Sequence, residues 1–278
     1  MHERATHIHD VAGIGIGPFN LGLAALAAPI DDLDAVFIDE NDQFDWHPGL
    51  LLEGATLQTP FMADLVTLAD PTSPFSFLNY LKQTGRIYAF YIRENFFMLR
   101  REYNQYCRWV AERLDSLVFS TRVVATAYDD AAGCYVLTLE DTASGTRREL
   151  RARSLVLGSG PSLHVPECCR DLDGRAVHAR EFAHARDTLQ ASDSITVVGS
   201  GQSAAEVFHA LLLEQERHGY RLDWFTRSPR FFALNYDKLT LEMTSPEYVD
   251  YFHGLSEHRR HTLGEEHKAL YKGIDESL

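Results

Sequence analysis

The apolar run Ile8–Ile14 breaks into glycines at 13, 15 and 17, and residues 19–28 that follow are rich in leucine and alanine. That pattern predicts a strand, a tight turn and a helix. Ala35–Ile38, apolar between acidic residues, predicts the next parallel strand. Residues 41–74 carry prolines at 48, 60, 71 and 74 and no clear periodicity. A long irregular segment is expected there, of the kind that is usually functional. Helical spacing returns over 75–82 and 99–114, where Tyr103, Tyr106, Trp109, Val110 and Leu114 form a stripe suited to burial. Residues 118–128 and 134–140 alternate as strands do, predicting an antiparallel hairpin laid on the main sheet. Residues 154–157 predict another strand, closed by Gly158-Ser159-Gly160-Pro161. The opening pattern then recurs: strand 194–198, turn Gly199-Ser200-Gly201, helix 203–214 and strand 222–225.

Two strand–glycine–helix units about 180 residues apart imply two nucleotide sites in one chain. The expected class is α/β, with two Rossmann-like dinucleotide-binding domains over residues 1–165 and 166–278. In the first turn, Gly13, Gly15 and Gly17 let backbone approach a pyrophosphate, and Pro18 opens the helix whose N–H groups face it. Asn20 replaces the third glycine of the usual pattern. Asp39 ends the next strand, where a carboxylate binds a ribose hydroxyl. The second turn offers Gly199, Gly201, Gln202 and Ser203, with Ala204 at the third glycine's place. Its following strand runs into Arg227 and Arg230 rather than a carboxylate. Arginine suits the extra phosphate of NADP, Arg227 first and Arg230 second.

Composition narrows the partners. The 278 residues include 26 Lys and Arg against 40 Asp and Glu, a formal net charge of −14. So acidic a chain repels phosphate backbones, and nucleic acid is an unexpected partner. Cys107, Cys134, Cys168 and Cys169 form no CxxC and no zinc spacing with histidines, as expected of reduced thiols. Residues 11–30 are nearly uncharged and long enough to span a bilayer, but Gly13, Gly15, Gly17 and Pro18 interrupt them. With no basic n-region or cleavage pattern, no membrane segment is expected, and the reading is cytoplasmic.

Finer residues separate the possible flavoenzymes. A disulfide reductase needs a redox cysteine pair near the flavin, and none is present. Phe182-Ala183-His184 lacks the spacing of the ketone- and sulfur-oxidising monooxygenase fingerprint. Instead, from about residue 8 to the end, the chain resembles the N-hydroxylating flavin monooxygenases of siderophore biosynthesis (the lysine, ornithine and diamine N-hydroxylases). The resemblance is carried by Phe44-Asp45-Trp46-His47-Pro48-Gly49, by the run from Leu57 through Gln58-Thr59-Pro60 to Leu65, and by Asp70 to Leu81. Arg100-Arg101-Glu102-Tyr103, Pro166, His178 and Ser245-Pro246-Glu247-Tyr248 also fit.

The resemblance implies FAD at the first turn and NADPH at the second. It places Gln58 beside the flavin's reactive edge and the substrate amine, Trp46 and His47 against the isoalloxazine region, and Arg100 on NADPH. A C4a-hydroperoxyflavin is expected to deliver oxygen to a neutral amine, in a site kept dry by NADP+ and residues 46–74. Ornithine hydroxylases of the family typically carry lysine at the place of Ala63, pairing with the substrate carboxylate. Ala63 cannot make that pair, and a buried carboxylate without a cation is costly. Leu270, near a polar position of those enzymes, points the same way, and Leu241 completes the expected substrate contacts. A diamine, cadaverine or putrescine, is therefore favoured, with lysine as the rival. A homo-oligomer, commonly a tetramer, is implied. Family members also run further, with an Ala-Thr-Gly-Tyr type motif returning to the FAD domain, and no residue stretch after Gly160 matches it. The expectation is a chain short of that segment, and a nucleotide-binding chain without turnover is the alternative.

Overall fold

The computed structural model describes residues 7–172, 174–235, 237–268, 273–275 and 278. They divide into two compact units, 1–47 with 54–164, and 48–53 with 165–278. The chain thus leaves the first unit at Pro48 and returns at Gly54.

The first unit is built on a sheet. β1 (Ile8–Ile14) leads through α1 (Pro18–Ala27) to β2 (Ala35–Ile38), which pairs with β1 in parallel. β3 (Thr56–Pro60) follows, then α2 (Phe77–Gln83), α3 (Ile87–Ile92) and β4 (Phe97–Leu99). α4 (Arg100–Ala111) is succeeded by β5 (Leu117–Val118), β6 (Thr121–Asp129), β7 (Cys134–Asp141) and β8 (Arg147–Leu157). The six-stranded sheet has the order β5-β2-β1-β8-β7-β6, while β3 and β4 form a separate antiparallel pair.

Two expectations gain detail. The 118–128/134–140 hairpin folds across the sheet as expected but is also hydrogen-bonded into it through β8. Only residues 119 and 120 separate β5 at one end of the order from β6 at the other, and the Thr121 N–H donates to the Asp39 carbonyl beside β2 at 2.9 Å. β8 runs parallel to β1 along one edge and antiparallel to β7 along the other, with Ala152 opposite both His9 and Tyr135. β8 also starts seven residues before the apolar run, because its first half, Arg147-Arg148-Glu149-Leu150-Arg151-Ala152-Arg153, is charged. Secondly, the irregular 41–74 segment contains β3, which finds its partner in β4 some 40 residues on, beyond the reach of any local pattern.

Both faces of this sheet are covered. On one side, Phe37 packs with Leu21, Ala24 and Ala25 of α1 and with Tyr103, Tyr106, Cys107 and Val110 of α4. Tyr103, Tyr106, Val110 and Leu114 of the predicted stripe are buried, and Trp109 packs against them partly exposed. On the other side, Ala12, Val36 and Ile38 meet Leu137, Leu139 and Ala152.

The second unit contains α5 (Phe182–Gln190), β9 (Ser194–Val198), α6 (Gln202–Leu212), α7 (Gln215–His218) and β10 (Arg221–Phe225). α8 (Lys238–Leu241), α9 (Pro246–Gly254) and α10 (Glu257–Glu266) complete it. β9 and β10 are parallel across the α6 crossover. Phe182, Ile195, Val197, Val207, Leu211 and Tyr220 form its core, and Leu50 from the excursion joins them. Among the described residues no helix is long and apolar enough to cross a membrane.

Gly49 anchors that excursion. A Cβ there would overlap the Arg180 carbonyl oxygen and reach the Arg180 carbonyl carbon at 2.8 Å. Because the neighbour is backbone, relief requires moving the chain rather than a rotamer. Gly49→Ala is expected to cost about 2–3 kcal/mol. The check is thermal melting, where the second unit should melt roughly 5–10 °C lower.

Candidate functional site

In the first unit, β1 delivers the chain into a turn that admits no side chain. Gly15 has φ +87°, and a Cβ there would lie 2.6 Å from the Gly158 carbonyl oxygen. Left-handed backbone and a backbone neighbour each exclude other residues. A Cβ on Gly13 would overlap the Phe37 ring. Gly17 is the N-cap of α1 and offers no capping side chain, and Pro18 fills the first turn without losing a helical hydrogen bond. That turn carries no acidic residue. The N–H groups and positive dipole end of α1 therefore suit an anion.

Asn20 explains its own departure from the glycine pattern. It is buried, and its Nδ2 donates to the carbonyl oxygens of Gly15 at 2.7 Å and Ile14 at 3.4 Å. The amide fastens the turn from beneath. Asp39 holds it from the next strand: Oδ2 accepts the Ile16 N–H at 2.6 Å, and Oδ1 accepts both Asn41 donors at 2.7 and 2.9 Å. A carboxylate has about four acceptor positions, so capacity remains for a hydroxyl.

Trp46 and His47 end the first unit's opening stretch, their rings 4.9 Å apart, with Tyr103 5.3 Å from Trp46. The Trp46 N–H donates to Asn104 Oδ1 at 2.9 Å, and Asn104 Nδ2 donates to Asp45 at 2.7 Å. Asp45 also meets Arg108 at 3.0 Å. His47 takes φ +48°, a region that histidine tolerates better than most side chains.

Gln58 lies on β3, and its Nε2 is buried with no hydrogen-bond partner among the described residues. An orphaned amide donor is costly, by about 1–3 kcal/mol, unless a ligand oxygen satisfies it. Arg100 opens α4, and its backbone N–H donates to Ala55 at 2.9 Å, next to the β3–β4 pair. Ala63 ends the short 3-10 turn Phe61–Ala63 that follows β3, half-buried.

The next residue was not foreseen. Asp64 accepts from the N–H groups of Val66 (2.9 Å), Thr67 (2.6 Å) and Phe77 (2.6 Å) and from Thr67 Oγ1 (2.7 Å). It joins the turn after Ala63 to the start of α2. The Asp64-x-x-Thr67 spacing is the signal that could have found it. Asn104 offered none, because its partners lie 58 and 59 residues away. Burial pushes the Tyr103 and Tyr106 phenols far up, and the Cys107 thiol likewise, so none of them serves as a base near neutral pH.

In the second unit, Gly199 has φ +147°, and its carbonyl accepts Trp224 Nε1–H at 2.7 Å. Gly201 is the N-cap of α6, again without a capping side chain or an acidic first turn, and Ser203 sits half-buried in that turn. Gln202 is engaged at both ends of its amide: Nε2 donates to Glu206 at 2.8 Å, and Oε1 accepts the Asp275 N–H at 2.8 Å. These contacts brace the turn, and the second Nε2 hydrogen takes part in neither. Arg227 is exposed and, among the described residues, has no carboxylate partner. Arg230 lies over the Phe232 ring at 4.6 Å. Leu241 ends α8, half-buried. Leu270 lies outside the described residues.

These features can be set beside known proteins. The putrescine N-hydroxylase of Shewanella oneidensis is 55% identical over 271 residues, 98% of this chain and 54% of its own length. The FAD-bound crystal structure of the desferrioxamine-pathway cadaverine monooxygenase from Erwinia amylovora matches with a TM-score of 0.95 and 56% identity, covering 98% of this chain and 64% of that one. An ornithine N-hydroxylase from Kutzneria sp. 744, with reduced FAD, NADP+ and L-ornithine, matches with a TM-score of 0.86 and 26% identity, over 98% and 66%. The chain thus spans between about half and two thirds of these relatives. The sequence model of the L-lysine 6-monooxygenase/L-ornithine 5-monooxygenase family matches residues 7–278, and the chain belongs to that family.

Proposed function

We propose that this chain acts in the NADPH- and FAD-dependent N-hydroxylation of one terminal amine of a diamine, cadaverine or putrescine, for hydroxamate siderophore biosynthesis. The observation that carries this reading is the likeness at 55–56% identity to two diamine hydroxylases, against 26% to the ornithine enzyme. Ala63 supports it, since an amino-acid substrate would bring a carboxylate with no lysine there to meet it.

The cradle at Gly15 and Gly17 and the Gln58 Nε2, buried without a partner among the described residues, both fit FAD. The Gly15–Gly17 turn and the end of α1 would hold its pyrophosphate, with Asp39 on a ribose hydroxyl. FAD supplies the electron transfer and oxygen activation that amino-acid side chains cannot. The protein's part is position and dryness. Gln58 orients the ring edge and the amine by donating its orphaned N–H, while Trp46 and His47 exclude water from that side. The amine must lose its proton, and since desolvation disfavours the ammonium form, burial rather than a dedicated base lowers its pKa. In the second unit, Gly199, Gly201 and Ser203 would cradle the NADPH pyrophosphate, and Arg227 with Arg230 would take its additional phosphate.

The test is hydroxylamine formation by this chain with FAD and NADPH across cadaverine, putrescine, lysine and ornithine. Product from a diamine, and loss of diamine turnover in Ala63→Lys, is expected. Product from lysine alone would overturn the substrate, and bound flavin with no product from any amine would overturn the activity.

A further inference from the structure

Away from the nucleotide turns, the first unit gathers a separate set of metal-ligating side chains. His7 and His9 stand two residues apart where β1 begins, so their side chains share one face of the strand, with ring centroids 4.5 Å apart. Asp34 precedes β2 by one residue. Its Oδ2 lies 2.6 Å from His7 Nε2, and its Oδ1 lies 2.9 Å from His9 Nδ1. One ligand atom from each of the three residues falls within 4.8 Å of the others.

The backbone holds this arrangement in place. The Asp34 N–H donates to Asp10 Oδ2 at 3.0 Å, and the Asp34 carbonyl accepts from Asp10 at 2.9 Å and Val11 at 3.3 Å. Asp10 in turn pairs with Arg153 of β8. The carboxylate is thus fixed between two strands before any ligand arrives. Side-chain exposures of 69% for His7, 43% for Asp34 and 21% for His9 leave the group open to ions from solvent. Partial burial would raise the Asp34 carboxyl, but hydrogen bonds and charge from His9 and then His7 outweigh it and hold its pKa below the ordinary value.

We propose that His7, His9 and Asp34 form a surface site for a borderline divalent transition-metal ion such as Zn2+ or Cu2+, with water in the remaining positions. Two imidazoles with one carboxylate prefer such ions over Mg2+ or Ca2+, which take oxygen donors. Zinc bonds to nitrogen and oxygen are about 2.0–2.2 Å, so tetrahedral ligand atoms stand roughly 3.3 Å apart. The three side chains reach that spacing by exchanging their mutual hydrogen bonds for bonds to the ion. Arg153 is turned to Asp10 rather than to Asp34, so no arginine has to be displaced from the carboxylate. Three protein ligands leave the ion exchangeable and reactive toward a further donor. Its binding is independent of either nucleotide.

Calorimetric titration with zinc chloride tests this. The parent should carry Cys168→Ser and Cys169→Ser, because those thiols, 3.8 Å apart, are a rival zinc site. One site is expected, with affinity falling at least about tenfold in His9→Ala and in Asp34→Asn. His7→Ala, at the most exposed position, should weaken binding as well without altering the melting temperature of the zinc-free chain. Cu2+ added to the same proteins should show two nitrogen ligands by electron paramagnetic resonance, and one in His9→Ala. Unchanged zinc affinity in all three variants, or equal affinity for Mg2+, would overturn the site.

Discussion

Gly15→Ala is expected to abolish FAD retention and to lower the stability of the first unit. Two penalties combine at this residue. The φ of +87° costs a side chain about 1–2 kcal/mol. The new Cβ also meets the Gly158 carbonyl oxygen at 2.6 Å and its carbon at 2.9 Å. Relief would have to move the turn, and the turn is what Ile16 and Asp39 hold in place. A displaced turn no longer aims the α1 N–H groups at one point, so an anion loses several donors together. A loss of about 3 kcal/mol in FAD binding, roughly a hundredfold, is the expected scale. The flavin absorbance that stays with protein through gel filtration measures it directly. Gly17→Ala is the useful contrast: it has an extended backbone, and its nearest neighbour, the Gly158 oxygen, is 3.9 Å away. It should fold normally and affect only the anion.

Arg227→Ala is expected to raise the dissociation constant for NADPH about 10–100-fold while leaving NADH nearly unchanged. A phosphate held by a guanidinium gains charge-assisted hydrogen bonds worth about 1.5–3 kcal/mol each, and exposure trims that figure. Arg227 is exposed and, among the described residues, answers no carboxylate, so its loss should not disturb folding. Fluorescence titration with both nucleotides, on Arg227→Ala and Arg230→Ala side by side, makes the measurement. A larger effect at Arg230 would transfer the phosphate to that residue, and equal weakening of NADPH and NADH would remove both from the role.

The parallel strands were legible because they are buried and therefore continuously apolar, as in Ala35–Ile38 and Ser194–Val198. The glycine turns were legible because only glycine fits where Gly15 meets Gly158. What stayed hidden depended on partners distant in sequence. The charged half of β8 is a strand because β7 and β1 flank it, and no apolar period marks it. β3 needed β4, and the Pro48–Glu53 excursion needed Arg180. At the site, the family resemblance pointed to Gln58 and Trp46, but Asn104, which seats Trp46, carries no signature of its own. Gln202 read as a nucleotide contact, and its amide also braces the turn through Glu206 and Asp275, with a second Nε2 hydrogen outside both contacts.

The position of β8 between β1 and β7 has a consequence for how the molecule is made. β1 leaves the ribosome well before β8, the strand that flanks it, which is registered Ile8 to Arg151 and synthesised more than a hundred residues later. At about 5–20 residues per second, β1 and the glycine turn wait on the order of ten seconds or more with one edge unpaired. Gly158, which closes the turn, arrives later still. A nascent chain halted before β8 should therefore remain sensitive to protease around Gly15, and become resistant only once residues 147–158 have cleared the exit tunnel.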